Sequence, residues 1–127
     1  MKDIQIDIAQ LDACIEELKS LLKDALIATD LWTPDGLSLG GHYGQSPAVA
    51  LFTRITGELR ETLHHSGFPG LSRYYLSDLD HDHIAMVILH GEDIQQGLLL
   101  NSKKVNLGVL LAVVVPRALA MVAKARR

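Results

Sequence analysis

Residues 25–40 read ALIATDLWTPDGLSLG, and the interpretation of the whole chain begins from this stretch. Two short apolar runs flank a Pro-Asp-Gly turn. Pro34 presets φ for its own position in the turn, and Gly36 takes a positive φ at no steric cost. The pattern therefore predicts a β-hairpin with strands over residues 25–32 and 37–40.

Three helices are predicted around this hairpin. Before it, apolar residues recur at steps of three and four over residues 4–22, and Asp7 is placed to cap the helix. After a predicted loop over residues 41–45, Ser-Pro opens a second helix over residues 47–64, since a hydroxyl cap and a first-turn proline are typical of a helix start. A last helix is predicted over residues 103–124.

Pro116 lies inside the last predicted helix and is expected to kink it, because proline lacks an N–H and clashes with the preceding turn. The alternative is a strand over Val109–Val115 followed by a shorter helix. The run Val105–Pro116 is shorter than the roughly 20 residues that span a membrane, so we expect a buried element. The residues expected to share the buried face are Leu107, Leu110, Leu111, Val114, Ala118, Met121 and Val122.

Three strands are predicted between the second and third helices, over residues 71–79, 84–90 and 96–101. The first mixes polar and apolar residues, which is typical of a sheet edge, and the second is apolar almost throughout, which indicates a central strand. The order is α-β-β-α-β-β-β-α. It predicts one α/β domain over residues 1–127, with a five-stranded, mostly antiparallel sheet covered by one helix on one face and two on the other.

The net charge, the cysteine count and the hydrophobic content of the chain argue against several classes of function. The net charge of −3 provides no basic field for nucleic acid. A single cysteine, Cys14, excludes an intramolecular disulfide, and we expect a buried, inert thiol in a cytoplasmic protein. Acidic residues at the N-terminus argue against a signal peptide. Hydrophobic residues reach 48 %, which is high for a small soluble monomer and suggests contact with a second chain.

No catalytic, cofactor-binding or metal-ligating set stands out in the sequence. His81 and His83 flank Asp82 in a predicted turn, and His64 ends the second helix, but no recognised metal-ligand spacing joins them. A metal-dependent enzyme using these three histidines is therefore kept only as an alternative.

The second predicted helix carries a stripe of small residues, Ala50, Thr53 and Gly57, beside its apolar stripe. A glycine in mid-helix costs about 1 kcal/mol relative to alanine, so it often indicates the close approach of another backbone. Arg54 and Glu58 on the same helix are spaced for an ion pair.

Taken together, the element order, the segments at residues 25–28 and 35–38, and the Asn-Leu-Gly-Val-Leu-Leu run at 106–111 resemble the roadblock/dynein light chain family. The resemblance covers nearly the whole chain, although Trp32 and Thr33 before the turn and the internal proline depart from the common pattern. It implies a profilin-like layer fold. It also implies a homodimer in which the third strand and second helix of two copies meet across a two-fold axis. Carried onto this chain, that interface involves Ala50, Thr53, Gly57, Arg73, Tyr74 and Tyr75.

The same resemblance implies a function without catalysis, since bacterial members of the family bind Ras-like small GTPases and can modulate their hydrolysis. We therefore expect a cytoplasmic homodimeric adaptor or regulator of a small GTPase, with no cofactor, no nucleic acid and no membrane insertion. A structural scaffold subunit of a motor or cytoskeletal complex is the main alternative. The expected GTPase contacts are Arg54, Glu58, Arg60 and Glu61.

Overall fold

The computed structural model describes residues 5–44 and 46–127. Ile4, predicted on the apolar stripe of the first helix, and Gln45, predicted in the loop before the second, lie outside the described residues. The elements are α1 (Ile8–Leu22), β1 (Leu26–Trp32), β2 (Ser38–His42), α2 (Ser46–His65), β3 (Tyr74–Leu79), β4 (His83–His90), β5 (Ile94–Asn101) and α3 (Leu107–Ala125), with a short 3₁₀ turn at Lys23–Ala25.

All five strands form one antiparallel sheet in the order β2-β1-β5-β4-β3. The predicted element order and sheet are confirmed, and β3 is an edge strand as expected. The prediction for β4 is also confirmed, because every residue from Ile84 to His90 is buried. Two strand starts differ from the prediction: β3 begins at Tyr74 rather than residue 71, and β5 begins at Ile94 rather than residue 96.

The helices divide between the two faces as predicted, with α1 and α3 on one face and α2 on the other. Successive side chains of a strand point to opposite faces. Ile84, Met86 and Ile88 belong to the buried core that includes α1 and α3 residues. Ala85 and the other intervening positions of β4 therefore face α2. This alternation explains why β4 needs apolar residues at every position.

The hairpin forms as predicted. The N–H of Thr33 donates to the Leu37 carbonyl at 2.9 Å, and Gly36 has φ +86°. The second strand is longer than expected, because Gly41 and His42 pair with β1 instead of lying in a loop. Only the segment after His42 is therefore available to turn the chain toward α2.

The first helix begins later than predicted, directly after its cap. The Asp7 carboxylate accepts a hydrogen bond from the Ala9 N–H at 3.0 Å. The residues before the cap pair with the end of the chain: the Asp7 N–H donates to the Ala125 carbonyl at 2.8 Å, and the Arg127 N–H donates to the Gln5 carbonyl at 2.9 Å. These bonds hold the two ends of the described chain together.

The last helix is continuous, so the alternative of a strand at Val109–Val115 is wrong. It starts at Leu107, later than the predicted residue 103, and contains a π-helical turn over Leu110–Val114 directly before Pro116. A π-turn in that position accommodates a residue that cannot donate to the preceding turn. The predicted kink at Pro116 stays a prediction.

The π-turn also shifts the buried face of α3. Leu107 and Leu111 were expected to be buried and are instead 48 % and 38 % exposed. An extra residue in the turn rotates the rest of the helix about its axis, so Val115 reaches the core in addition to Leu110 and Val114. The fully buried positions of α3 are Leu110, Val114, Val115, Ala118 and Val122.

Among the described residues, one helix, α3, is long and apolar enough to cross a membrane by length and composition, with 19 residues and a mean hydropathy of 1.9. The core helix of a soluble protein has the same properties, and the inner face of α3 packs against α1 and the sheet. The expectation that the run Val105–Pro116 is a buried element is wrong, because only Leu110, Val114 and Val115 of it are buried. Val109 and Val113 also face outward.

A group of buried, hydrogen-bonded polar residues lies inside the sheet and includes His90, Gln96 and Thr29. The Nε2–H of His90 donates to the Oε1 atom of Gln96 at 2.9 Å, and the Thr29 hydroxyl donates to the Gly97 carbonyl at 2.7 Å. His90 is 4 % exposed, and burial lowers the pKa of its imidazole to about 4. Arg126 donates to the His90 carbonyl at 2.7 Å, which connects this strand end to the last turn of the chain.

We expect the free energy of unfolding to depend on His90 at acidic pH. The unfolded imidazole binds a proton near its ordinary pKa while the folded one stays neutral to about pH 4, so stability is complete above pH 6.5 and is lost as the pH falls through this window. Between pH 7 and pH 5 the loss is about 2 kcal/mol. Urea denaturation at both pH values measures it. The His90→Gln variant should lose less stability over that interval than the wild type, and equal losses would contradict the assignment.

Candidate functional site

The free edge of β3 is the first part of the candidate site. In the described chain β3 pairs with β4 on one side, and its other edge has no strand partner. Leu76 and Leu79 are 38 % and 45 % exposed along it. An edge strand that presents apolar side chains and unpaired backbone groups is a template for pairing with another strand.

The second part is the helix that crosses behind this edge. The hydroxyl groups of Thr56 on α2 and Tyr75 on β3 lie 2.7 Å apart. Thr56 is fully buried, and burial raises the pKa of the Tyr75 hydroxyl above its ordinary value. This hydrogen bond fixes α2 beside β3, so the outer face of the helix and the free edge of the strand form one surface.

The small stripe of α2 lies on the outer side of the helix. Ala50 and Gly57 are exposed and Thr53 is half-buried, with its hydroxyl donating to the Val49 carbonyl at 2.7 Å. Apart from its chain neighbours and the adjacent backbone of α2, no described atom lies within 4 Å of the place where a Cβ on Gly57 would stand. The glycine is therefore not required for packing within the described chain, and it leaves the helix surface open to close approach.

Arg73 and the two tyrosines predicted at the interface occupy three different environments. Arg73 precedes the strand and is exposed, with its guanidinium 5.8 Å from the centroid of the Tyr74 ring. Tyr74 packs against the core on the α1 and α3 side, whereas Tyr75 faces α2. Their assignment to a dimer interface stays a prediction.

The four predicted GTPase contacts all lie on α2, and three of them are exposed to solvent. Arg54 and Glu58 form the expected ion pair at 3.0 Å, with both side chains mostly exposed. Such a pair contributes about 0.3–0.5 kcal/mol to stability, so either side chain can instead pair with a charged group of a partner at little cost. Glu61 is exposed, while Arg60 is half-buried and its positive charge acts on the Tyr75 hydroxyl.

The described residues contain no group of three or more metal-ligating side chains that could hold an ion. His81 lies in a turn with positive φ, the Nδ1 atom of His83 lies 3.2 Å from the Asp80 carbonyl oxygen, and His64 ends α2 beside His65. Cys14 is buried, and burial raises the pKa of its thiol to about 11, which disfavours the nucleophilic thiolate.

No protein-family model matches the sequence, and no curated protein matches it either. Solved structures do match. MglB from Myxococcus xanthus superposes with a TM-score of 0.81 at 9 % identity, covering 98 % of this chain and 92 % of that one. A Roadblock/LC7 domain from Streptomyces avermitilis gives a TM-score of 0.65 at 17 % identity, covering 89 % and 92 %.

The chain has the roadblock fold. Profilin IA from Acanthamoeba castellanii also matches, with a TM-score of 0.56 at 13 % identity, covering 87 % of this chain and 97 % of that one. The predicted profilin-like layer fold and the resemblance to roadblock proteins are therefore confirmed at the level of the fold.

Sequence reasoning missed a second feature on the α2 face of the sheet. Trp32 is almost fully buried and lies across Gly97, where a Cβ would stand only 2.7 Å from the Cη2 atom of the indole. The indole N–H donates to the Oε1 atom of Gln95 at 2.9 Å. A glycine inside an apolar strand indicates the close approach of another group, and this was the signal in the sequence.

The Gly97→Ala variant should be less stable by about 1–3 kcal/mol, because the new methyl group displaces the indole ring. Urea denaturation followed by circular dichroism measures the change. In a Trp32→Phe background the same alanine should cost less, since the smaller ring leaves room. An equal cost in both backgrounds would show that the indole does not occupy the space above Gly97.

Proposed function

We propose that this protein is a cytoplasmic, non-catalytic homodimer that binds a Ras-like small GTPase and modulates its GTP hydrolysis. The observation that carries the proposal is the combined surface of the free β3 edge and the open outer face of α2. The roadblock fold supports it, since the family that the sequence resembles includes bacterial proteins with this function.

The proposed dimer is supported by the missing strand partner at the outer edge of β3 in the described chain. Antiparallel pairing of β3 with β3 of a second copy would satisfy the free backbone groups and continue the sheet across a two-fold axis. The same operation would place the two α2 helices side by side, because Thr56 and Tyr75 hold each helix against its own edge strand. Gly57 would then allow close approach, and the exposed Leu51 and Leu76 would be covered.

GTPase binding is assigned to charged positions on the outer face of α2, which are exposed in the described chain and border the small stripe. Arg54, Glu58 and Glu61 are exposed, and the ion pair between the first two is weak enough to be replaced by contacts with a partner. A paired platform would present two copies of this charged surface. The partner then supplies the catalytic groups, and this chain acts by holding it.

Gly57→Trp should convert the dimer to a monomer without unfolding it. The described chain has open space at this position, whereas a second helix packed there would clash with the indole. Size-exclusion chromatography with light scattering at micromolar concentration measures the mass, and circular dichroism checks the fold. The Ser20→Trp variant, on the exposed side of α1, is the matched control and should stay dimeric.

A wild-type protein that is monomeric in this measurement would contradict the proposed dimer. So would a Gly57→Trp variant that stays dimeric, because the interface would then lie elsewhere on the molecule.

Arg54→Glu should reduce recovery of a small GTPase when the tagged protein is purified from a native lysate, because the substitution reverses a charge on the proposed contact surface. The expected result is a GTPase with bound guanine nucleotide in the wild-type eluate and at least tenfold less of it with the variant. Nucleotide analysis and mass spectrometry of the eluate provide the measurement. Arg117→Glu, at an exposed position of α3, is the matched control and should retain the partner.

Recovery of a filament or motor subunit without nucleotide would favour a structural scaffold instead. Equal recovery of the GTPase by both variants would place its binding site outside α2.

A further inference from the structure

Between α2 and the sheet lies an apolar cavity of about 470 Å³. Its floor is the α2-facing side of β1, β5 and β4, and one end of its roof is the first turns of α2. Cavities of this size are in the range that binds small molecules. The lining is mostly apolar and includes Ala28, Trp32, Tyr43, Val49, Phe52 and Leu99.

The cavity exists because α2 lies close to the sheet at its middle and farther from it at its N-terminal turns. At the middle of the helix, the Thr56 hydroxyl bonds directly to the Tyr75 hydroxyl, which holds α2 close to β3. Nearer the N-terminus, α2 faces the cavity with Ala48, Val49 and Phe52, which line the space above Trp32 without filling it. Because α2 is held close to the sheet at Thr56 but not at its N-terminal turns, a volume remains under those turns that no side chain of the described chain occupies.

A second, polar recess of about 390 Å³ adjoins the apolar cavity. Both are lined by Asp30, Gly44 and Val49, and the recess adds Asp35 and two residues of the small stripe, Ala50 and Thr53. The Asp30 carboxylate stands at the junction of the two. The combined space therefore has an apolar body and a carboxylate-bearing mouth.

Within the described residues, neither carboxylate at this mouth, Asp30 or Asp35, forms an ion pair with a lysine, arginine or histidine side chain. The Asp30 carboxylate is half-buried and accepts a hydrogen bond from the Ser38 hydroxyl at 2.8 Å, and Asp35 is exposed in the hairpin turn. The ion pairs of the described chain involve neither residue, and no lysine or arginine lines either space. A partly desolvated carboxylate is stabilised by a cationic partner that also donates hydrogen bonds.

We propose that this paired cavity binds a small amphiphilic amine. Its apolar body lies on Trp32 beneath α2, and its ammonium group donates to the Asp30 carboxylate at the mouth. A 150 Å³ cavity holds a benzene molecule in a well-studied protein core. By proportion, the apolar cavity of this chain accommodates a ligand on the order of 15–20 non-hydrogen atoms.

The roadblock fold does not by itself require this site, and the proposal does not depend on GTPase binding. Trp32 is the single tryptophan of the chain, so its fluorescence reports directly on the occupied cavity. Three eight-carbon probes separate the contribution of the charged head group from that of the apolar body: n-octylamine, 1-octanol and octanoate. The full chain is titrated with each, and calorimetry measures the affinity independently.

We expect octylamine to shift the Trp32 emission and to bind at least tenfold more tightly than octanol, with octanoate the weakest. Asp30→Asn should remove most of the advantage of the amine while leaving octanol binding unchanged. Ala48→Phe, which fills the cavity from the helix side, should weaken all binding at least tenfold. Ala13→Phe on the exposed side of α1 is the control and should bind as the wild type does.

Equal affinities for the three probes, or undiminished binding by Ala48→Phe, would overturn the proposal. Binding that occurs only in the Gly57→Trp variant would also overturn it, because a second copy of the chain would then fill the cavity in the wild-type dimer. Circular dichroism and urea denaturation confirm that each variant is folded. A monomeric wild type that binds octylamine would refute the dimer and leave the ligand site intact.

Discussion

An antiparallel sheet that ends in a free strand is the constraint on which the rest of this structure depends. β3 is paired with β4 on one side, and the described chain offers no strand for the other. Backbone groups at such an edge are satisfied by solvent or by another chain, and proteins usually protect long apolar edges with charge, proline or a covering element. Here β3 presents two exposed leucines, Leu76 and Leu79, and one exposed charged residue, Asp78. The edge is therefore suited to association.

The helix above the sheet connects this edge with the interior. The Thr56–Tyr75 hydrogen bond positions the C-terminal half of α2 beside β3, and this half carries the open helix surface at Gly57. The other half lies above Trp32 and Gly97 and leaves a cavity under the helix. Because one rigid helix forms part of both regions, a ligand in the cavity and a partner at the edge act on the same element. On the opposite face, α1 and α3 pack against the sheet in a continuous buried core.

Much of the fold was accessible from sequence because its decisive signals are local. The turn at Pro34 and Gly36, the cap at Asp7 and the uninterrupted apolar run of β4 each follow from the chemistry of a few neighbouring residues. The π-turn before Pro116 was not accessible. Periodicity alone assumes a regular helix, so it placed Leu107 and Leu111 in the core, whereas the inserted residue rotates them outward. The same holds for the candidate site. The small stripe on α2 could be predicted from residue spacing, but the cavity could not, because it depends on how α2 packs on three strands that are distant in sequence.

The central claim is that the outer edge of β3 pairs with a second copy of itself. Amide hydrogen exchange along Tyr74–Leu79, followed as a function of protein concentration, tests it most directly, because unpaired edge amides exchange fast and paired ones slowly. The account predicts that the outward-pointing amides become protected as concentration rises, while those bonded to β4 are protected throughout. Outward amides that exchange rapidly at every concentration, in a protein of otherwise normal stability, would contradict it.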